Sequence, residues 1–332
     1  MSFFIRRFGQ AIVVLVGIVT LIFFVLRLIP GDPVSVIAPT ATAEAKAQIR
    51  AQLGLDQTLW HQYVTFLHNV VSGDFGQSYF FQGRAIDLVS KALPYTAALA
   101  GCALLIALVI AIPAGVASAV HEDSVVDRVI LGICLIFQSS ANFWVALLLI
   151  SVVAIRAGLP TVGYVGPISL VLPSLALSLS LIAVLTQVVR ISLIGALHSD
   201  MAVAMKARGL PPRRIVLIHC LRLSCVPLMT VIGAQLGYLL GGAVIIEYIF
   251  NYPGMGLLTL NSVLRRDYPL LQIIVLVTSL IFLVINLIID MSYGLVDGRL
   301  SAANREGGSS IFLRLARLAG RGRTRREAKS GL

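Results

Sequence analysis

The sequence predicts an all-α membrane protein with six transmembrane helices and both termini on the cytoplasmic side. Three observations carry this. Apolar runs of around 20 residues recur at 8–26, 96–120, 129–155, 168–189, 226–249 and 270–295. Each is long enough to cross a hydrocarbon core of ~30 Å, and a helix satisfies its own backbone there. Hydrophobic residues make up 58% of the chain and charged residues only 12%, about half the ~25% of a soluble domain. Finally, 18 of the 26 lysines and arginines fall in the segments that would face the cytoplasm if the N-terminus does, as the positive-inside rule requires. A transmembrane β-barrel would instead show alternating segments of ~10 residues. The net charge of +11 thus reports topology, and no nucleic-acid partner is implied.

Residues 1–30 form the first span. Arg6 and Arg7 before an apolar stretch also suit a secretory signal. The stretch is long for one, however, and RLIP at 27–30 lacks the small residues of a cleavage site, so an uncleaved span is expected. Residues 31–93 form an extracytoplasmic segment with short helices. Thr42 caps a helix at 43–53 that Gly54 ends, and a second helix at 59–71 puts Trp60, Tyr63, Phe66, Leu67 and Val70 on one face. This segment suits either a cap over the spans or a docking surface for an external partner. GDFG at 73–76 is a turn.

Residues 94–299 form the five-helix core. Pro113 predicts a kink in the second span. A loop at 121–127 carries three acids, and 156–167 is rich in Gly and Pro. NYPGMG at 251–256 demands a sharp turn, after which 257–264 can dip back toward the membrane. The tail, 300–332, is basic. Its stretch 311–326 alternates apolar and basic residues, which suits either anionic membrane lipid or a disordered tail.

The loop 190–225 differs from the rest. It contains DMAVAMKARGLPPRR at 200–214. Asp200 is a good N-cap, Gly209 can take the left-handed conformation that ends a helix, and Pro211 and Pro212 cannot continue one. Lys206 and Arg208 sit in the last turn, where the helix dipole favours cations, and Arg213 and Arg214 follow. A short helix of this kind, stopped by Gly and ringed by positive charge, suits docking to another protein.

Catalytic signatures are missing. The chain has no GxxxxGK[ST], HExxH or GxSxG motif, and its five histidines all lie outside the spans. The four cysteines have no metal-ligand spacing. No catalytic residue, metal site or cofactor is therefore assigned to the chain. Polar residues within spans are costly and face the protein interior or a water-filled path. Gln138, Ser139, Ser140 and Asn142 cluster in the third span; Gln187, Gln235, Asn286 and Asp290 follow in later ones. They suit interhelical hydrogen bonding or the lining of a translocation path. Glu247 is a candidate path or gate residue, or a partner for Arg265 or Arg266. Gly233, Gly237, Gly241 and Gly242 make a small-residue stripe for close helix packing.

Read in order, RLIPGDPV (27–34), LGLDQTLWHQY (53–63), GDFGQSY (73–79), EYIFNYPGMG (247–256), RRDYPLLQ (265–272) and NLIIDMSYGLVDGR (286–299) resemble the permease subunits of oligopeptide, dipeptide and nickel importers of the ATP-binding-cassette type. Ala204, Lys206, Ala207, Arg208 and Gly209 fall in register with that family's EAA motif, with Pro227 at its later proline. The resemblance covers 3–299. It departs at Met201, where tyrosine is usual, at Val203, usually basic, and at Met205, usually alanine. Ala141 stands where proline is usual, so the kink expected there is put in doubt. Gly298 also replaces a common proline, and the tail is longer than usual.

The resemblance implies a type I importer permease fold. It also implies a second homologous permease subunit supplying half the pore, two ATPase subunits that bind ATP and Mg and grip residues 200–209, and an extracytoplasmic binding protein that delivers a peptide. Nickel chelates, opines or glutathione are alternative cargoes. A stand-alone channel or ion-coupled carrier is the alternative of a different class. A carrier should show internal symmetry between its halves, and none is visible.

Overall fold

The computed structural model describes residues 2–28 and 32–296. The tail at 300–332, with the surface stretch expected at 311–326, lies outside the described residues, as do Pro30, Gly298 and Arg299 and the side chains of Arg6, Arg7 and Asp290. Residues Met1–Val284 form one compact unit. The second, Ile285–Leu332, is described only as far as Val296.

Among the described residues the regular structure is helical, with one isolated antiparallel bridge between Gln77 and Arg84. In chain order the helices are α1 (Ser2–Leu28), α2 (Pro33–Ile37), α3 (Ala43–Gln52), α4 (Leu59–Ser72), α5 (Ala85–Val120), α6 (Val125–Ser139), α7 (Asn142–Leu148), α8 (Ile155–Ala157), α9 (Val171–Leu197), α10 (Asp200–Ala207), α11 (Pro212–Arg214), α12 (Leu221–Ile249), α13 (Met255–Leu264) and α14 (Tyr268–Val296). Wider π-type turns at Leu149–Ala154 and Ile215–Cys220 join α7 to α8 and α11 to α12.

Four stretches are long and apolar enough to span a bilayer: Ala85–Val120, Pro167–Leu197, Pro212–Gly241 and Tyr268–Ile289. They match the second, fourth, fifth and sixth expected spans. The third is bent by 102° between Val125–Ser139 and Asn142–Ala157, and within α1 the apolar stretch is Ile12–Leu28. Among the described residues there are therefore four helical stretches long and apolar enough to span, or five if the bent pair counts as one, where the sequence predicts six. α5 begins inside the segment assigned to 31–93 and runs through both Pro94 and Pro113.

α9 is the hub. Of its most apolar window 61% is buried, against 33% for α5 and 17% for α14. It packs along α5 and against α6, α7 and α12. In lipid, apolar surface gains nothing by leaving water, so helices associate through close packing of small residues. α5 supplies them: Ala103, Ala107 and Ala111 lie four apart and fully buried, and Gly115 continues the row. A Cβ on Gly115 would lie 2.7 Å from Val189 and 2.9 Å from the Thr186 carbonyl. The expected glycine stripe on α12 makes less of this. Gly237 meets the Phe282 ring, but Gly241 has open space beside it.

α3 and α4 form where expected. Thr42 accepts from the Ala45 N–H at 3.3 Å, and Gly54 ends α3 with φ +65°. α4 runs from its Thr58 cap to Gly73 at φ +75°. Its aromatic face docks on α1. Phe23 stacks on Phe66 at 5.6 Å and meets Tyr63 edge-on at 5.2 Å, while the Thr20 and Tyr63 hydroxyls bond at 2.7 Å. Trp60 is exposed.

Candidate functional site

Three places carry the polar chemistry. The first is α10. Ser199, not Asp200, is its N-cap: the hydroxyl accepts from the Ala202 N–H at 3.4 Å. Asp200 becomes the first helical residue, where its carboxylate still faces the positive helix end. The C-terminus closes as expected. Gly209 has φ +78°, its N–H bonds the Lys206 carbonyl at 3.0 Å, and the Leu210 N–H bonds the Met205 carbonyl at 3.2 Å. This pair of bonds is the Schellman motif. Pro212 then opens α11.

α10 is anchored from one side only. Ala202 is fully buried, and Met205 and Leu210 pack with it against Ala119 of α5, Leu193 and Ala196 of α9, and Ile215 and Cys220. Asp200, Ala204, Lys206, Ala207, Arg208 and Gly209 are exposed, as are Arg213 and Arg214. Met201 and Val203 are exposed apolar residues on the same helix. The helix thus offers a mixed basic and apolar surface on a packed base.

An ion pair braces this end of the molecule. Arg190 of α9 donates to Asp127 of α6 through Nε at 2.7 Å and Nη2 at 2.6 Å. Asp127 also accepts from the Ser118 hydroxyl of α5 and from the Asp123 N–H at 3.1 Å. The carboxylate is buried. Sequence reasoning counted Arg190 only as a topology charge and Asp127 only as one of three loop acids. The available signal was Ser124, which caps α6 by accepting from the Asp127 N–H and so places that acid in the first turn.

The second place is the α6–α7 corner, which holds the path candidates. Its bend of 102° exists without the proline usual at Ala141, so the doubt raised over that kink is corrected. Hydrogen bonding replaces the ring. The Ser139 and Ser140 hydroxyls donate to the Ile136 carbonyl at 3.1 and 2.7 Å, the kind of local bond that competes with a continuing helix. Ser140 and Ala141 are extended, and the Ala141 carbonyl accepts from Trp144 and Val145 to start α7. Gln187 of α9 reaches Gln138 at 3.3 Å. Asn142 and Gln235 are half-buried, and among the described residues no hydrogen bond joins them to that pair.

The third place is Glu247, which is fully buried. It accepts from the Thr96 hydroxyl at 2.6 Å and the Leu257 N–H at 3.0 Å, while Thr96 accepts from the Met255 N–H at 2.7 Å. The carboxylate therefore sits on the N-terminus of α13, where the helix dipole favours an anion, and ties α13 to α5 and α12. Gly254 and Gly256 leave room for it: a Cβ on Gly254 would strike the carboxylate, and one on Gly256 would lie 2.9 Å from Oε2. Arg265, one of the two partners expected for it, lies 3.6 Å over the Phe80 ring instead. Beside this clasp, Tyr95, Tyr164 and Tyr252 meet edge-to-face, with centroids 5.0–5.9 Å apart. Burial and the neighbouring Tyr164 push the Tyr252 hydroxyl up to about 12, so it stays neutral.

Comparison with known proteins places these features. Residues 111–302 match the family described as binding-protein-dependent transport system inner membrane component, and residues 1–100 match the N-terminal family of such membrane components. The glutathione transport system permease protein GsiC of Escherichia coli (strain K12) is 35% identical over 299 residues, covering 90% of this chain and 98% of its own length. The protein of the same name from Shigella flexneri serotype 5b (strain 8401) is also 35% identical over 299 residues. The MetNI methionine ABC transporter in its inward-facing conformation superposes with a TM-score of 0.56 at 16% identity, over 64% of this chain and 97% of that one. At that identity the likeness concerns the fold.

Proposed function

Because the chain belongs to the family of binding-protein-dependent transport system inner membrane components and is the permease subunit of an ATP-driven importer, we propose that it forms one half of a pathway for short peptides. Glutathione, itself a tripeptide and the cargo in the name of GsiC, falls in the same chemical class. A second, similar permease subunit supplies the other half. Two ATPase subunits bind ATP and Mg and grip the two α10 helices, and a binding protein delivers cargo from outside. The N-terminus and α10 lie on the cytoplasmic side, as the distribution of basic residues supports. ATP binding closes the ATPases and swings the spans outward-open; hydrolysis resets them. This chain transmits force and carries no step of the hydrolysis.

The observation that carries the reading is α10 itself, an exposed basic and apolar helix held from one face by α5 and α9. Motion imposed on it passes directly into the hub helix. The test is purification of the tagged chain with its partners and reconstitution into liposomes. ATPase subunits should co-purify, and uptake of a labelled tripeptide should require both ATP and loaded binding protein. Uptake by the chain without ATPase subunits would overturn the reading.

A further inference from the structure

A cavity of about 180 Å³ lies between the α3–α4 segment and the start of α14. One water needs only about 10–15 Å³ measured in this way, so there is room for a small organic molecule. Its polar lining includes Arg27, Gln62, Asn69, Asp74, Tyr79 and Gln272.

Two of these residues are left in an unusual state. Gln272, in the second turn of α14, is only 7% exposed, and its Nε2 has no acceptor among the described residues. Buried donors are rarely left so, because an unmade hydrogen bond costs the full desolvation of the group. Arg27 is held by neutral groups. Its Nε donates to Gln62 Oε1 at 2.9 Å, its Nη1 reaches the Phe23 carbonyl at 3.3 Å, and its guanidinium carbon lies 3.5 Å over the Phe23 ring. These contacts fix the plane of the guanidinium, yet among the described residues no carboxylate pairs with it. Tyr79 adds a hydroxyl that burial pushes up to about 12, a neutral donor. The one acid in the wall, Asp74, has its Oδ1 engaged by the Gly76 N–H at 3.1 Å.

We propose that this cavity is a binding site for a small carboxylate, such as the C-terminal residue of a peptide, with Arg27 and Gln272 as its donors. A fixed guanidinium and an unpaired amide N–H lining one cavity are a donor set for a carboxylate, whose two oxygens can accept from both. Water can satisfy the amide and leaves the cation unpaired. The site rests on the importer reading in one respect: that reading puts the cavity on the side from which cargo arrives.

The test uses the full permease–ATPase complex in nanodiscs, without binding protein. Saturation-transfer NMR follows alanylalanine and, separately, its C-terminal amide. The acid should bind and the amide should bind about tenfold more weakly or worse, the loss of one charge-assisted pair. Gln272→Glu puts a carboxylate into the same cavity as Arg27 and should abolish the signal; Arg27→Gln should weaken it about tenfold. Gln272→Leu removes the unpaired donor and should weaken binding while leaving the melting temperature unchanged or raised. Equal binding of acid and amide, or unchanged binding by Gln272→Glu, overturns the site. The acid–amide comparison on the unmutated chain decides even where a variant does not fold. Stimulation of ATP hydrolysis by loaded binding protein, measured in the same nanodiscs, tests the importer reading separately. Stimulation without alanylalanine binding refutes only the pocket.

Discussion

At Asp127 two guanidinium N–H groups, one hydroxyl and one backbone N–H converge on a single buried carboxylate. Removing one partner of such a pair strands the other charge, which typically costs about 3–5 kcal/mol. Asp127→Asn and Arg190→Met should each destabilise by that order, and the double variant should cost less than their sum. Melting followed with a thiol-reactive dye on the buried Cys134 and Cys220 reads this out, and wild-type melting in both single variants would refute the brace. The glycines make a second contrast. At Gly254 a Cβ meets the Glu247 carboxylate, whereas at Gly241 it meets nothing within 4 Å. Gly254→Ala should therefore lose about 1–3 kcal/mol through overpacking. Gly241→Ala should be neutral or gain up to about 1 kcal/mol from helix propensity. The same melt ranks the two, and a stable Gly254→Ala would mean the clasp has slack. None of this was legible in order along the chain. Glycines 254 and 241 look alike as letters, and only the carboxylate folded over one of them tells them apart.

At the scale of elements, α10 was nearly all readable. Gly209, Pro211 and Pro212 are residues whose backbone limits do not depend on context, so the helix end fell where expected. The start slipped by one residue because Ser199 and Asp200 are both good caps, and sequence alone does not say which turns out of the helix. A side chain at Gly209 meets no atom within 4 Å, but its φ of +78° is strained for any other residue. Gly209→Val should thus leave the subunit in the membrane and redirect α11. Basal ATP hydrolysis should persist while stimulation by loaded binding protein is lost; full stimulation would remove α10 from the coupling route. The α6–α7 corner was read wrongly because the usual cue, proline, is absent and hydroxyl-to-carbonyl bonds do its work. Ala141 has φ −70°, and Ser140 before it is extended, which are the two conditions proline needs. Ala141→Pro should therefore be tolerated and stabilise by about 0.4–1 kcal/mol through the unfolded chain. Loss of folding on that substitution would show that the corner straightens during the working cycle or that the Ala141 N–H is needed.

For the whole molecule, composition and hydropathy located every long helix, because span length and apolar content are properties of a contiguous stretch. They did not reveal which helix is the hub. α9 is less apolar than α5 and α14, and its central position comes from the small residues of α5 that let it approach. The setting of Glu247 was illegible for a related reason: its partner Thr96 lies 151 residues away. That separation has a consequence for how the chain is made. Thr96 has entered the membrane long before Glu247 leaves the ribosome, and the Leu257 N–H follows Glu247 by only ten residues. At about 5–20 residues per second, the acid waits roughly a second for the Leu257 N–H. An acid short of partners in hydrocarbon is costly, so a nascent chain stopped after Ile249 carries an acid without its α13 donor, which one stopped after Ile246 lacks. Pulse-chase of the two truncated chains should show the longer one degraded faster by membrane proteases. Equal lifetimes would mean that quality control does not sense this acid. The pace of synthesis across 247–257, rather than the finished fold, then decides whether this corner of the protein is ever seen as damage.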